Sequence, residues 1–205
     1  RTALEQQPWA LEEEERPEVD FRDIKGQAAA KRAAEIAAAG MHNLLLVGPP
    51  GTGKTMVAKG LAGILLPLTL EESRALTRTY SVCGMLTGKR APMKTRPFRA
   101  PHHTVSPAAL TGGGPFLRPG ELSLASGGVL FLDELPELSR RALETLRQPL
   151  EEGKLLVSRV HGSCEFPAAF ILAAAMNPCP CGHFPDRNRC RCSDMQIRRY
   201  QSKLS

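Results

Sequence analysis

Aromatic side chains are scarce: one Trp, two Tyr and seven Phe in 205 residues. A core with so few rings has to be aliphatic, and alanine clusters at 28–30, 37–39 and 173–175 fit that expectation. Long apolar runs are missing too. None approaches the ~20 residues of a membrane-crossing helix, and no secretory leader pattern is present, so a cytoplasmic protein without membrane partners is expected. Acid is absent from Arg74 to Arg118, where eight Lys and Arg occur. The first twenty residues are the reverse, with seven acids against Arg1 and Arg16. This segregation lies behind the net charge of +6. Basic patches can meet nucleic acid or acidic partners, or can simply be solvated faces. The 42% hydrophobic content suffices for a packed core, and the length suits one domain with appendages. Because the chain begins at Arg1 rather than Met and stops after a basic helical stretch, it is expected to be a fragment of a longer protein.

Gly48-Pro-Pro-Gly-Thr-Gly-Lys54-Thr55 fits the phosphate-binding pattern G-x-x-x-x-G-K-S/T. Leu44 to Val47 before it read as a buried strand, and Met56 to Leu66 after it as a helix. Gly48, Pro49, Pro50, Gly51, Thr52 and Gly53 would form the loop whose amides cradle phosphate oxygens at a helix N-terminus. Lys54 would reach the β- and γ-phosphates, Thr55 would ligate Mg²⁺, and Met56 would follow in the helix. ATP and Mg²⁺ are the expected cofactors.

Val129-Leu-Phe-Leu-Asp133-Glu134 reads as a central parallel strand carrying two acids to its C-terminal end, where ligands sit in open α/β sheets. Asp133 would hold Mg²⁺ and Glu134 would polarise the attacking water. Phe170 to Met176 reads as a further buried strand ending at Asn177, an amide placed to orient that water or touch the γ-phosphate. In isolation the same Asn before Pro178 would be a turn former.

Elsewhere, residues 1–18 read as an acidic linker or tail, and Gln27 to Ala39 as an Ala-rich helix stopped by Gly40. Thr77 to Val82 has the β-branched and aromatic content of a strand. The segment 84–120, full of Pro, Gly, Arg and His, reads as an insertion of hairpins and loops. Ser139 caps a helix predicted to run to about Glu152, with Leu143, Leu146 and Leu150 on one face, Pro149 kinking it and Gly153 ending it. Lys154 to Val160 and Cys164 to Phe166 read as a hairpin. His102 and His103, without acids or thiols nearby in sequence, read as a surface loop touching DNA or a neighbouring subunit. Phe98, between Arg96 and Arg99, could stack on bases or anchor the hairpin.

Four of six cysteines cluster as Cys179-x-Cys181 and Cys190-x-Cys192 in a loop of about residues 178–193. Two such pairs could place four thiolates around a structural Zn²⁺, with His183 able to replace one. Disulfides, disfavoured in a reducing compartment, and plain unligated thiols are the alternatives. A metal there would brace the loop after Asn177 and display Arg187, Arg189 and Arg191. Cys83 and Cys164 read as ordinary buried residues.

The three motifs, in this order, resemble the AAA+ ATPases: Walker A at 48–55, Walker B at 129–134 and sensor 1 at Asn177. The resemblance covers about residues 19–205. Arg96-Pro-Phe-Arg-Ala-Pro-His-His-Thr104, Gly120-Glu-Leu-Ser-Leu-Ala, Leu146-Arg-Gln-Pro-Leu-Glu-Glu-Gly153 and Ala175-Met-Asn-Pro-Cys-Pro-Cys-Gly182 are similar to the magnesium-chelatase-like branch, and within it to the bacterial ComM/YifB-type proteins. The resemblance implies an α/β P-loop NTPase: a parallel sheet flanked by helices, a helix-2 insertion at about 84–120 and a hairpin before sensor 1 at about 154–168. It implies that Ile24 and Gly26 lie near adenine. It further implies a hexameric, ATP-driven motor on branched DNA, from a group linked to natural transformation and carrying a Lon-protease-like N-terminal domain. The arginine finger, the last core strand and the helical lid with sensor 2 would lie outside this chain, leaving it a better binder than hydrolase of nucleotide and exposing a sheet edge. Two other readings stay open: a magnesium-chelatase-type motor acting on a protein or porphyrin partner, and a scaffold that binds ATP without turnover. A zinc-dependent DNA-binding module that ignores ATP is the remaining outsider.

Overall fold

Short apolar runs become three strands of a four-stranded parallel sheet, and Phe98-Arg99 becomes the fourth. The structure is a computed structural model describing residues 19–86, 92–114, 117–159 and 162–204; the acidic segment 1–18, with Lys89 and Arg90, lies outside these. Strands β1 (Leu44–Val47), β2 (Phe98–Arg99), β5 (Val129–Leu132) and β8 (Ile171–Met176) are ordered β1-β8-β5-β2. Because all are parallel, their C-terminal ends share one edge. Val47 stands opposite Met176 and Leu132 opposite Ala174, so Gly48, Asp133 and Asn177 all emerge there.

Alternation along the strands divides the core between the two faces. Val129, Phe131, Ile171, Ala173 and Ala175 face one cluster with helices α1 (Ala28–Gly40) and α2 (Lys54–Gly63), through Ala34, Ala37, Val57, Ala58 and Leu61. Leu130 and Leu132 face the other, with Leu122 of α5 (Glu121–Leu124), Ala142 of α6 (Arg140–Glu144) and Leu146. The hairpin of β6 (Lys154–Arg159) and β7 (Gly162–Pro167), antiparallel as expected, adds Leu155, Val157 and Phe166 to that second cluster. Small side chains in β8 let its neighbours approach closely, which is how a core poor in rings closes. β1 and β2 are the edge strands among the described residues, and on β1 Leu45 and Val47 are about half exposed.

Three expectations are corrected. Thr77 to Val82 is not a strand but the end of helix α3 (Leu70–Val82). A capping box starts it, the Thr69 hydroxyl accepting from the Glu72 amide while the Glu72 carboxylate accepts from the Thr69 amide at 2.7 Å. That signal, with Leu76 buried, outweighs the β propensity of its last turn. The segment 84–120 is not wholly peripheral. It holds α4 (Pro107–Thr111) and a small antiparallel ladder of β3 (Gly112–Gly113) with β4 (Arg118–Pro119), but it also supplies core strand β2. The helix from Ser139 breaks at Thr145 and resumes as α7 (Arg147–Glu152). Pro149 has no N–H for the Thr145 carbonyl and its ring crowds that group. The break buries Pro149 and leaves Leu150 exposed.

Candidate nucleotide-binding site

The loop between β1 and α2 has the conformation its glycines permit. Gly51 and Gly53 are left-handed, at φ 76° and 82°, a region that costs other residues about 1–2 kcal/mol. Thr52 Oγ1 donates to Pro49 O at 2.9 Å and tightens the turn. Lys54 Nζ donates to Gly48 O and Pro49 O at 2.9 Å each, and to Asn177 Oδ1 at 3.3 Å. Lysine and amide, from opposite ends of the sequence, therefore meet at the mouth of β1 and β8. Burial lowers the Lys54 pKa, and the Asp133 charge opposes that shift. Thr55 and Met56 are exposed at the start of α2.

Asp133 and Glu134 are exposed at the tip of β5. Asp133 Oδ1 accepts from the Glu134 amide at 2.8 Å. Glu134 is itself left-handed, at φ 50°, which turns the chain sharply out of the strand. Its Oε2 lies 2.9 Å from His103 Nδ1, and the His103 ring packs against His102, tilted by 35° with centroids 4.0 Å apart. His103 thus touches the acid at the strand tip, a contact invisible in sequence because it depends on β2 lying beside β5.

On the other side, Gln27 Nε2 donates to Thr52 O at 3.1 Å, fastening the segment before α1 to the phosphate loop. Within that segment Ile24 is buried in the core and Gly26 is exposed and left-handed. The backbone of Asn177 is hydrogen-bonded to Tyr200, and Gln201 Nε2 donates to Pro178 O at 3.1 Å. Both partners belong to helix α8 (Asp194–Gln201), so the chain returns to brace Asn177 from behind. Tyr200 and Gln27 carry no sequence signal of their own.

The basic stretch is less free than its composition suggested. Arg96 pairs with Glu72 at 3.1 Å and donates to the carbonyls of Leu66, Pro67 and Gly127. Arg99 pairs with Glu121 at 2.6 Å. Phe98 stacks on Phe131 at 6.0 Å, the anchor rather than the base-stacking alternative. Arg74, Arg78 and Arg118 of that stretch stay exposed, as do Arg187, Arg189, Arg191, Arg198 and Arg199 beyond Asn177, with Arg187 paired to Asp194 at 2.5 Å.

Residues 20–205 match the family described as magnesium chelatase, subunit ChlI. The chain belongs to that family. Within it, the chain is 53% identical over 188 residues to competence protein ComM of Haemophilus influenzae, covering 91% of this chain and 36% of that protein. It is 48% identical over 186 residues to the uncharacterized protein YifB of Escherichia coli, with the same coverage. The magnesium-chelatase 38 kDa subunit of Rhodobacter capsulatus is 27% identical over 188 residues, 84% of this chain and 54% of that one. The chain therefore spans little more than a third of its ComM and YifB relatives. Among solved structures, NtrX of Brucella abortus in complex with ADP matches with TM-score 0.49 and 20% identity, over 74% of this chain and 30% of that one. Among the described residues no helix is long and apolar enough to cross a membrane.

Proposed function

We propose that this chain is the nucleotide-binding part of a cytoplasmic, ring-forming AAA+ ATPase motor that remodels branched DNA. The observation that carries the ATPase reading is the meeting of Lys54 with Asn177 beside Asp133 and Glu134, at the C-terminal edge of a parallel sheet. The residues fit ATP and Mg²⁺: left-handed glycines, a lysine held only by carbonyls and an amide that phosphate oxygens would replace, and two acids at a strand tip. When bound, ATP with Mg²⁺ supplies the phosphoanhydride whose γ-phosphoryl passes to water.

The chain's own residues would then act as follows. Amides of residues 51–55 and the dipole of α2 bind phosphate. Lys54 neutralises charge on the β- and γ-oxygens, while Thr55 and Asp133 are the metal ligands. Glu134 accepts a proton from the attacking water, and Asn177 orients that water. The segment from Ile24 to Gln27 borders the adenine side. Glu134 in a strained conformation, held by His103, suits a group whose direction matters more than its backbone comfort.

The DNA substrate and hexameric ring rest on the motif resemblance, the name of the ComM relative and the arginines exposed beyond Asn177. A second reading, a magnesium-chelatase-type motor working through protein partners, is favoured by the family match itself. Steady-state hydrolysis with and without branched DNA, for the parent protein and Glu134→Gln, decides between them. DNA-stimulated turnover that Glu134→Gln abolishes, with ATP binding retained, is expected. Turnover indifferent to DNA would favour the chelatase-type reading, and failure to bind ATP would overturn both.

A further inference from the structure

The loop between Asn177 and α8 takes no part in phosphate chemistry, yet it holds the densest cluster of metal-binding side chains among the described residues. The Sγ atoms of Cys179, Cys181, Cys190 and Cys192 all lie within 4.8 Å of one another. Three separations are 3.5 Å (Cys179–Cys181), 3.7 Å (Cys179–Cys190) and 3.6 Å (Cys181–Cys190). A Zn–S bond of about 2.3 Å makes the edge of a ZnS₄ tetrahedron about 3.8 Å. Disulfide sulfurs stand about 2.05 Å apart, and all four thiols are free. Four sulfurs this close have room for one ion among them. A polynuclear iron–sulfur cluster, with each thiolate on a different iron, needs them farther apart. His183, the alternative ligand expected from sequence, is not in this group.

The surroundings are built for thiolates. The Phe184 amide donates to Cys179 Sγ at 3.4 Å. The loop's own turns, Gly182 N to Cys179 O at 2.9 Å and Cys190 N to Asp186 O at 2.8 Å, bring the pairs together. Arg187, Arg189 and Arg191 come from the same loop, Arg187 paired with Asp194 at 2.5 Å. Cys179 is fully buried.

We propose that Cys179, Cys181, Cys190 and Cys192 bind one structural Zn²⁺, which locks the loop against the phosphate loop. A Cβ at Gly182 would stand 2.6 Å from Pro50 Cδ, so the knuckle backbone lies directly on the phosphate loop. From its other end α8 reaches Asn177 and Pro178 through Tyr200 and Gln201. The ion cross-links a loop touching Pro50 at one point and Asn177 at another, and so fixes both without touching nucleotide. Binding releases the protons of whichever thiols are still protonated.

The test is metal analysis of the protein purified without chelator. One zinc per chain is expected, released stoichiometrically on titration with a mercurial. Cobalt exchanged for zinc should give the intense sulfur-to-metal and d–d absorption of a tetrahedral S₄ site. Cys190→Ser should lose the ion, while Cys83→Ser, outside the cluster, should keep it. If Cys190→Ser does not fold, the mercurial titration on the intact chain still decides. Metal-free protein with four alkylatable cluster thiols, or with disulfides between them, overturns the proposal. This metal result is independent of any nucleotide reading. The coupling is read separately: zinc removal should weaken binding of a fluorescent ATP analogue at least tenfold, and an unchanged affinity overturns that half.

Discussion

His103 and Glu134 show what one contact can add to a motif. His103 is only about one-third exposed, and its Nδ1 is 2.9 Å from the carboxylate proposed to accept the proton of water. A carboxylate on an exposed strand tip otherwise has several rotamers, and misdirection by about 1 Å can cost about 100-fold in rate. His103→Ala is therefore expected to lower kcat by roughly 10- to 100-fold with little change in KM for ATP. His103→Asn, which keeps a donor near that position, should recover most of the loss. A fall in ATP affinity instead, or equal damage from both variants, would make His103 a packing residue. Lys54 behaves differently: its acceptors are local carbonyls and Asn177, so its placement belongs to the loop fold itself.

At the level of elements, β2 contributes only two residues, and its docking depends on Gly128. A Cβ there would meet Pro97 O at 2.0 Å, where Val129 N donates to the same carbonyl at 2.9 Å. Gly128→Ala should separate β2 from β5 and destabilise the fold by about 3 kcal/mol, seen as a lower urea midpoint. Hydrolysis should fall as well, because His103 follows β2; an unchanged midpoint would contradict the close approach.

The same pair of strands marks the limit of what could be read in advance. β1, β5 and β8 were legible because their apolar runs are four or more residues long and end in glycine, acids or Asn-Pro. The glycine-rich turn between β1 and α2 and the placement of Asp133 and Glu134 at a strand tip were legible with them. β2 was not, since two residues have no periodicity and its identity comes from Val129 and Leu130 alongside. In α3, Thr77, Thr79 and Tyr80 carry strand propensity, while the signal that sets the helix, Thr69 with Glu72, lies two turns earlier. The contact of His103 with Glu134 and that of Tyr200 with Asn177 are products of tertiary packing and leave no local trace.

For the molecule as a whole, charge is redistributed by folding. Arg96 and Arg99 lie inside the acid-free stretch yet serve as internal ties, so they cannot supply an outward field. Arg74, Arg78, Lys94 and Arg118 of that stretch stay exposed, and a second exposed basic set lies beyond Asn177, on the cysteine loop and α8. If DNA is the substrate, Arg189→Ala with Arg191→Ala should weaken binding across unrelated sequences. It should also reduce the slope of log affinity against log salt by roughly two, about one per lost phosphate contact. An unaltered slope would place the DNA surface elsewhere. The sheet's half-exposed edge at Leu45 and Val47 is a second surface of different character, apolar and extended, suited to another strand rather than to a polyanion.

Glu134 sits in a backbone region that glycine would occupy without strain, and holding it there costs the native state about 1–2 kcal/mol. Selection on such a position pulls two ways. A lineage under pressure only to survive heat would abandon the acid, while one under pressure to turn over must keep it and find its robustness elsewhere. At this bend a carboxylate and an unstrained backbone are therefore alternatives, and this chain has the carboxylate.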